Sequence, residues 1–403
     1  MTSLSSVLVV GTGLIGTSIA LAARAAGIEV WLEDADPAHV DSAVALGAGR
    51  PWSSRPGATA GEQAVPVIDH AVICVPPEAV VEQLRSTSRL ARTMSDTSGI
   101  KSHVLAELEI IAPELGERFC GSHPMAGRER SGPWHARADL FRGRPWVLVP
   151  GARTAPVALA RTRMLAEACG AEVLVRTEAE HDRAVATVSQ LPQLLASALA
   201  ARVAELEPAD LALVGQGLRD MTRVAASAPG LWAELIAGNR DALAPALDAV
   251  IADLAGLQAA LGDPGTATTG ARATARLTGP PAEPAAEPVA ERGSSAADRV
   301  RAVVVDLMSR GNAGRARLPG IHGGPRTDGR SLLVAVPDRP GELARALATV
   351  AAEGANVADL RMDHAPGRPL GVVEMIVAPA DAERVAKALR QAGWPVTVEP
   401  GAD

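Results

Sequence analysis

Val7-Leu8-Val9-Val10-Gly11-Thr12-Gly13-Leu14-Ile15-Gly16-Thr17-Ser18-Ile19-Ala20 is the stretch on which the fold turns. Four apolar β-formers run into a glycine turn, and an alanine-rich helical pattern, Leu14–Ala26, follows at once. The turn fits G-x-G-x-x-G, a weak signal alone and a strong one between a strand and a helix. In that setting Gly11 permits the tight turn and Gly13 lets backbone approach a pyrophosphate. Gly16 lets helix and strand pack closely. Thr12, Leu14 and Ile15 are placed with the glycines at the cofactor, and the helix N-terminus then holds the phosphates with free N–H groups. Asp34 lies 18 residues beyond Gly16, after the strand Glu29–Glu33. There its carboxylate would accept from ribose hydroxyls and repel a 2′-phosphate. No arginine follows in Ala35–Val40, so the expected cofactor is NAD, not NADP.

Outward from this motif, strands continue to alternate with helices. Val72–Val75, Phe119–Gly121, Trp146–Val149 and Glu172–Val175 are further expected strands, implying a parallel sheet covered by helices on both faces. Val75 and Pro76, where one strand runs into a loop, are placed beside the cofactor. This Rossmann-type domain is assigned to residues 1–177. Residues 178–261 show helical periodicity and no strand-like run, and are read as an all-α domain. Helices such as Leu194–Val203 and Leu243–Leu261 are so rich in Ala and Leu that a twofold partner, giving a homodimer, is expected. Residues 262–297, rich in Pro, Ala, Gly and Thr, read as a linker. A short helix Asp298–Ser309 and a Gly/Arg-rich loop Arg310–Gly324 fill residues 298–330. Residues 331–403 read βαββαβ: strands Ser331–Val336, Asn356–Asp363, Gly371–Val377 and Pro395–Val398, with helices Gly341–Glu353 and Asp381–Ala392.

Bulk properties exclude several classes. A net charge of −7 argues against a nucleic-acid partner, which needs clustered cations. Cys74, Cys120 and Cys169 fit neither a disulfide framework nor metal spacing, and read as small buried hydrophobes; no metal is expected. Met1–Ser6 does not open a signal peptide, and no membrane span is expected. The expected location is the cytoplasm.

Two segments carry the chemistry. Gly121-Ser122-His123-Pro124-Met125-Ala126-Gly127 follows a strand, with Glu129 and Ser131-Gly132 just after. His123, on a strand-to-loop turn near the nicotinamide position, is either a general base or a histidine satisfied by the turn's backbone. In the helical region Asp220-Met221-Thr222-Arg223 leads to Ser227, Pro229 and Trp232. Asp220 and Arg223 share a helix face, as a surface ion pair or as an oriented guanidinium that clamps a substrate carboxylate.

Taken together, these residues resemble the prephenate dehydrogenase family over roughly Val7 to Leu261. The resemblance implies hydride transfer from ring carbon 4 of a cyclohexadiene to NAD, with loss of the ring carboxylate as CO2. His123 would take the proton of the C4 substituent. Arg223 would clamp the side-chain carboxylate, and Glu129 and Trp232 would line the pocket, with Trp232 reaching in from the partner subunit. Two departures stand out. The family's Asp-x-x-Ser-x-Lys reads Asp96-Thr97-Ser98-Gly99-Ile100-Lys101, with Gly99 in the serine position and Ser98 one residue early. The family's Ser-His-x-Pro-His reads Ser189-Gln190-Leu191-Pro192-Gln193, and Gln193 replaces a histidine that lies at the substrate in the family. These changes either are drift, with Ser98 and Gln193 compensating, or mark a changed C4 substituent. The reading leans to 4-amino-4-deoxyprephenate, then prephenate, then arogenate.

Asp338-Arg339-Pro340-Gly341-Glu342 in the βαββαβ unit resembles an ACT domain. That implies an amino-acid effector near Asp338, Gly341 and Asn356, or a domain kept for dimerisation alone. The 3-hydroxy-acid dehydrogenases share the layout but need a helical lysine. Only Lys101 and Lys387 occur, neither in the helical region. A non-catalytic NAD and amino-acid sensor is the remaining alternative.

Overall fold

The structure, a computed structural model, describes residues 3–54, 68–127, 132–262, 295–318, 329–364 and 369–399. Glu129 and most of the expected linker lie outside the described residues.

The N-terminal sheet contains β1 (Ser6–Val10), β2 (Glu29–Glu33), β3 (Arg50–Pro51), β4 (Ile68–Ile73), β5 (Ala91–Asp96), β6 (Phe119–Pro124), β7 (Pro145–Val149) and β8 (Glu172–Val175). Their order is β3-β2-β1-β4-β5-β6-β7-β8. Five helices connect them: α1 (Leu14–Ala25), α2 (Pro37–Ala45), α3 (Val80–Thr87), α4 (Ser102–Ile111) and α5 (Pro156–Ala168). The period of two in β1 divides its side chains between two apolar layers. Val7 and Val9 join Ile19 of α1 and Leu165 of α5, while Leu8 and Val10 join Leu84 of α3 and Leu108 of α4.

The expected all-parallel sheet needs a correction. β7 runs antiparallel to β6, and β8 parallel to β7. A parallel return requires a long crossover, usually helical. Between β6 and β7 the described residues form only the 3-10 turn Pro133–His135. The expected strand Val72–Val75 also ends earlier, at Ile73. β5, absent from the sequence reading, is central despite its polar sequence ARTMSD. Its Thr93 and Ser95 hydroxyls bond both ring nitrogens of buried His70 on β4, at 2.9 and 2.8 Å. Burial pushes the His70 pKa down to about 3, so the ring stays neutral.

The helical region begins with α6 (Glu178–Val185), whose Thr177 and Glu180 form a reciprocal capping box. A π-helical turn, Ala186–Gln190, joins it to α7 (Leu191–Val203). The short α8 (Pro208–Leu211), α9 (Gln216–Thr222), α10 (Pro229–Gly238) and α11 (Arg240–Gly262) follow. Glu178–Val203 and Arg240–Gly262 are long and apolar enough to cross a membrane by length and composition, which the sequence reading did not anticipate. The first of these carries buried His181, Asp182, Gln190 and Gln193.

The described residues 245–262 and 295–318 belong to a separate compact unit. Within it α12 (Ala296–Ala316) pairs with α11 through Arg310 and Asp253 at 2.9 Å. The expected helix Asp298–Ser309 is therefore longer at both ends, and the first part of the expected Arg310–Gly324 loop is helix. Its Asp306–Arg310 ion pair, at i,i+4, supports that continuation.

The C-terminal βαββαβ unit is present as read: β9 (Arg330–Pro337), α13 (Glu342–Ala352), β10 (Val357–His364), β11 (Leu370–Val377), α14 (Pro379–Gln391) and β12 (Val396–Val398). The sheet is antiparallel, in the order β10-β11-β9-β12. Alternate residues Leu332, Val334 and Val336 of β9 meet Ala346 and Val350 of α13 and Val385 and Leu389 of α14.

Candidate active site

At the nucleotide end, Gly11 has φ 93° and a Cβ there would lie 2.4 Å from the Cys74 carbonyl. A Cβ on Gly16 would lie 1.9 Å from the Gly11 carbonyl, so glycine is what lets α1 start this close to β1. The space over Gly13 is open, with no atom within 4 Å of where its Cβ would be. This is where the α1 N-terminus can receive a phosphate. A cleft of about 530 Å³ adjoins it, lined by Gly11, Gly13, Asp34, Val75, Pro76 and Gln83 among others. Asp34 Oδ2 accepts from the backbone N–H and hydroxyl of Thr12, and Oδ1 accepts from Asp36 N–H. The carboxylate thus ties the glycine turn to the end of β2, with acceptor capacity left for a ribose. Leu14 is buried in α1 and Ile15 packs against the core, so the motif's apolar residues anchor the helix. The open glycine cradle, the helix N-terminus and an acid at the end of β2 fit a dinucleotide.

At the chemical end, β6 presents His123 toward the loop after β5. A Cβ on Gly99 would lie 3.8 Å from His123 Nε2 and 3.7 Å from its Cε1, and 3.1 Å from Leu235 of α10. Trp232, half-buried, is three residues before Leu235 and so shares its helix face. Ser98, the displaced serine, accepts from Ile100 N–H at 3.4 Å and so closes its own loop.

Behind His123 lies a buried polar chain. His123 Nδ1 is 2.9 Å from His181 Nε2, and His181 Nδ1 is 2.7 Å from Asp182 Oδ1. Asp182 also accepts from the backbone N–H groups of Lys101 and Ser102, at 2.9 and 2.8 Å. Burial opposes charge on Asp182, yet these hydrogen bonds together hold its pKa below the usual carboxylate range. Lys101, fully buried, pairs with Asp96 and donates to the Ser122 carbonyl at 2.8 Å. Burial, with His181 and Lys101 nearby, holds the His123 pKa well below 6.5. The ring is therefore neutral at physiological pH, the state a general base needs.

The two glutamines separate in role. Gln190 accepts from Asn239 Nδ2 at 2.7 Å and donates to the Leu235 carbonyl at 3.2 Å, so it joins the π-helical turn to α10. Gln193 faces Ser197 and Ser227 at 3.4 and 3.5 Å. Asp220 accepts from Gln216 at 2.9 Å, and both Asp220 and Arg223 are exposed on this chain. Asp338, Gly341 and Asn356 are exposed in the C-terminal unit, where Gly341 caps α13 with φ 89°.

The sequence reading missed His181 and Asp182. In the fold Asp182, Gln190 and Gln193 share a buried helical stripe with Ala186, and nothing in the sequence alone marks that stripe as core-facing.

Comparisons with known proteins point to one family. The prephenate dehydrogenase nucleotide-binding domain matches residues 19–175, and the prephenate dehydrogenase dimerization domain matches residues 177–266. A probable prephenate dehydrogenase, NovF, of Streptomyces niveus is 33% identical over 96% of this chain and 98% of its own length. The cyclohexadienyl dehydrogenase of Zymomonas mobilis is 32% identical over 65% of this chain and 90% of its own. Among solved structures, Aquifex aeolicus prephenate dehydrogenase with hydroxyphenyl propionate and NAD+ has a TM-score of 0.56 at 28% identity. That match covers 64% of this chain and 91% of that one. The βαββαβ unit lies beyond both family matches.

Proposed function

We propose a specific reaction on one premise: the chain belongs to the prephenate dehydrogenase family and is an NAD-dependent oxidoreductase. The reaction is oxidative decarboxylation of a cyclohexadiene whose C4 carries an amine, 4-amino-4-deoxyprephenate, giving 4-aminophenylpyruvate and CO2. The observation that carries the amine is Gly99, which places no side chain beside His123 Nε2 where the family has a serine hydroxyl. Bound NAD would supply the hydride acceptor. His123 Nε2 takes one proton from the C4 ammonium, freeing the nitrogen lone pair that expels hydride from C4. Loss of CO2 from C1 then returns two electrons to the ring, which becomes aromatic with a neutral amine. Arg223 binds the side-chain carboxylate, and Trp232 lines the pocket, completed by a second copy of the chain. A carboxylate clamp on the departing group would oppose its loss, so Arg223 is assigned to the group that stays.

The second reading, prephenate itself, is favoured by the name of the Streptomyces relative. NADH formation with each substrate in turn separates the two. Higher kcat/KM with the amino compound supports the first reading, and preference for prephenate rejects it.

The C-terminal unit is assigned as an ACT-like effector domain, with an aromatic amino acid held near Asp338, Gly341 and Asn356. The βαββαβ order and the left-handed glycine opening α13 support this. Calorimetry with tyrosine and p-aminophenylalanine tests it, and absence of heat with both rejects it. The cytoplasm, where NAD and biosynthetic substrates are found, is the proposed location.

A further inference from the structure

We propose that His181 and Asp182 lock His123 in the tautomer that keeps its Nδ1 protonated and presents a bare Nε2 to the substrate. The inference rests on His123 being the base, and it names the residues that set that base's active form.

The argument follows the hydrogen-bond directions from the fixed end of the chain. Asp182 is a carboxylate, which can only accept, and it receives Lys101 N–H, Ser102 N–H and the His181 ring. Its contact with His181 Nδ1 at 2.7 Å therefore requires the proton on that nitrogen. A neutral imidazole has one N–H, so His181 Nε2 carries a lone pair. The 2.9 Å contact between that nitrogen and His123 Nδ1 then requires the proton on His123 Nδ1. By elimination His123 Nε2 is bare, and it is the atom beside Gly99. A protonated His181 would reverse the last link, making His123 Nδ1 the acceptor and closing Nε2 with a proton. His181 Nδ1 meets Asp182 in either arrangement, so the proton on His123 is the observable that separates the two.

Asp182 has a second effect. The two backbone N–H groups it holds belong to Lys101 and Ser102, just after Gly99. One carboxylate thus fixes both the orientation of the base, through His181, and the loop lying over the base's reactive nitrogen. When Nε2 gains a proton, the Nδ1–H of the resulting imidazolium still donates to His181, and the hydrogen-bonded chain ending on Asp182 stabilises the charge. Asp182 does not take up the proton, because three donors stabilise its charged form. His181 and Asp182 are therefore positioning residues, and His123 is the group that touches the substrate.

Two measurements on the full-length protein test this. The first is nitrogen NMR of 15N-histidine-labelled enzyme at neutral pH, with His123 signals assigned by their loss in His123→Asn. The expected result is a protonated Nδ1 and an unprotonated Nε2. A protonated Nε2 overturns the proposal. The second compares His181→Leu, which cannot accept from His123, with His181→Gln, whose amide oxygen can. The leucine variant should lose kcat by on the order of 10²-fold with KM changed less than about threefold, and glutamine should restore most of the rate. Full kcat in the leucine variant, or equal losses in both, overturns the positioning role. If His181→Leu does not fold, the NMR result on the unmutated enzyme still decides the tautomer. A near-normal rate in His123→Asn would instead reject the base assignment and leave the tautomer finding standing.

Discussion

The two ends of the site are built from different materials. At the nucleotide end the working parts are backbone: glycines 11, 13 and 16, the first turn of α1, and one carboxylate that ties Thr12 to β2. At the chemical end the proposed parts are titratable side chains, half-buried His123 with buried His181, Asp182, Lys101 and Asp96, linked by hydrogen bonds. A diphosphate is recognised by N–H groups that any sequence supplies once the turn forms. Proton transfer instead needs a side chain whose charge state the surroundings fix. The first kind of site tolerates change in most side chains around it; the second does not.

The largest effect should come from the chemical end. His123→Asn removes the only proposed base, and turnover should fall by roughly 10²–10⁴-fold while NAD binding, measured by fluorescence titration, stays within a factor of about two. A near-normal rate would erase the contrast between the two ends. The same residue sets the acid limb of the pH profile. Its pKa is depressed by burial, so protonation occurs only at lower pH, and kcat/KM should persist as pH falls past 6.5 before declining. A midpoint at or above 6.5 would contradict the burial argument.

Arg223→Ala is the next largest. A clamp on the retained carboxylate acts in ground and transition states alike, so KM should rise by about 10–10²-fold with kcat little changed. An unchanged KM would remove Arg223 from the site. At the nucleotide end, Asp34→Asn keeps an acceptor for Thr12 N–H and removes the charge that repels a 2′-phosphate. The NADP-to-NAD ratio of kcat/KM should rise about tenfold, the worth of roughly 1.4 kcal/mol. No change would show that the acid serves only to hold the glycine turn.

These differences explain what could be read in the sequence. The β1–turn–α1 unit was legible because its determinants are contiguous, and the C-terminal βαββαβ unit because its alternation and turns are local. The reversal of β7 was not legible, because strand direction depends on how the chain returns and not on the strand itself. β5 was hidden by its polar residues, whose burial makes sense only beside His70, 23 and 25 residues away. His123 and Gly99 could be singled out through family resemblance. Their partners His181 and Asp182 lie 58 and 81 residues from the groups they hold, and only the fold brings them together.

The smallest expected effect tests the finest claim, that Gly99 suits an amine at C4. Gly99 needs no left-handed backbone, so Gly99→Ser is a side-chain test. The new Cβ would lie 3.1 Å from Leu235 Cδ2, a contact the end of a leucine side chain can relieve by shifting a few tenths of an ångström. It would lie 3.8 Å from His123 Nε2, which puts the serine hydroxyl within reach of that nitrogen. An ammonium must give its proton directly to Nε2 before hydride can leave, because it has no lone pair to push. A serine hydroxyl donating to Nε2 would compete with that step, whereas a substrate alcohol could hydrogen-bond through the serine and keep its path to the base. Relative kcat/KM should therefore move from the amino substrate toward prephenate. One well-formed hydrogen bond contributes about 0.5–1.5 kcal/mol, so the ratio should shift roughly two- to tenfold. An unchanged ratio, with the serine variant folded and active, would mean that the space at Gly99 does not choose the substrate.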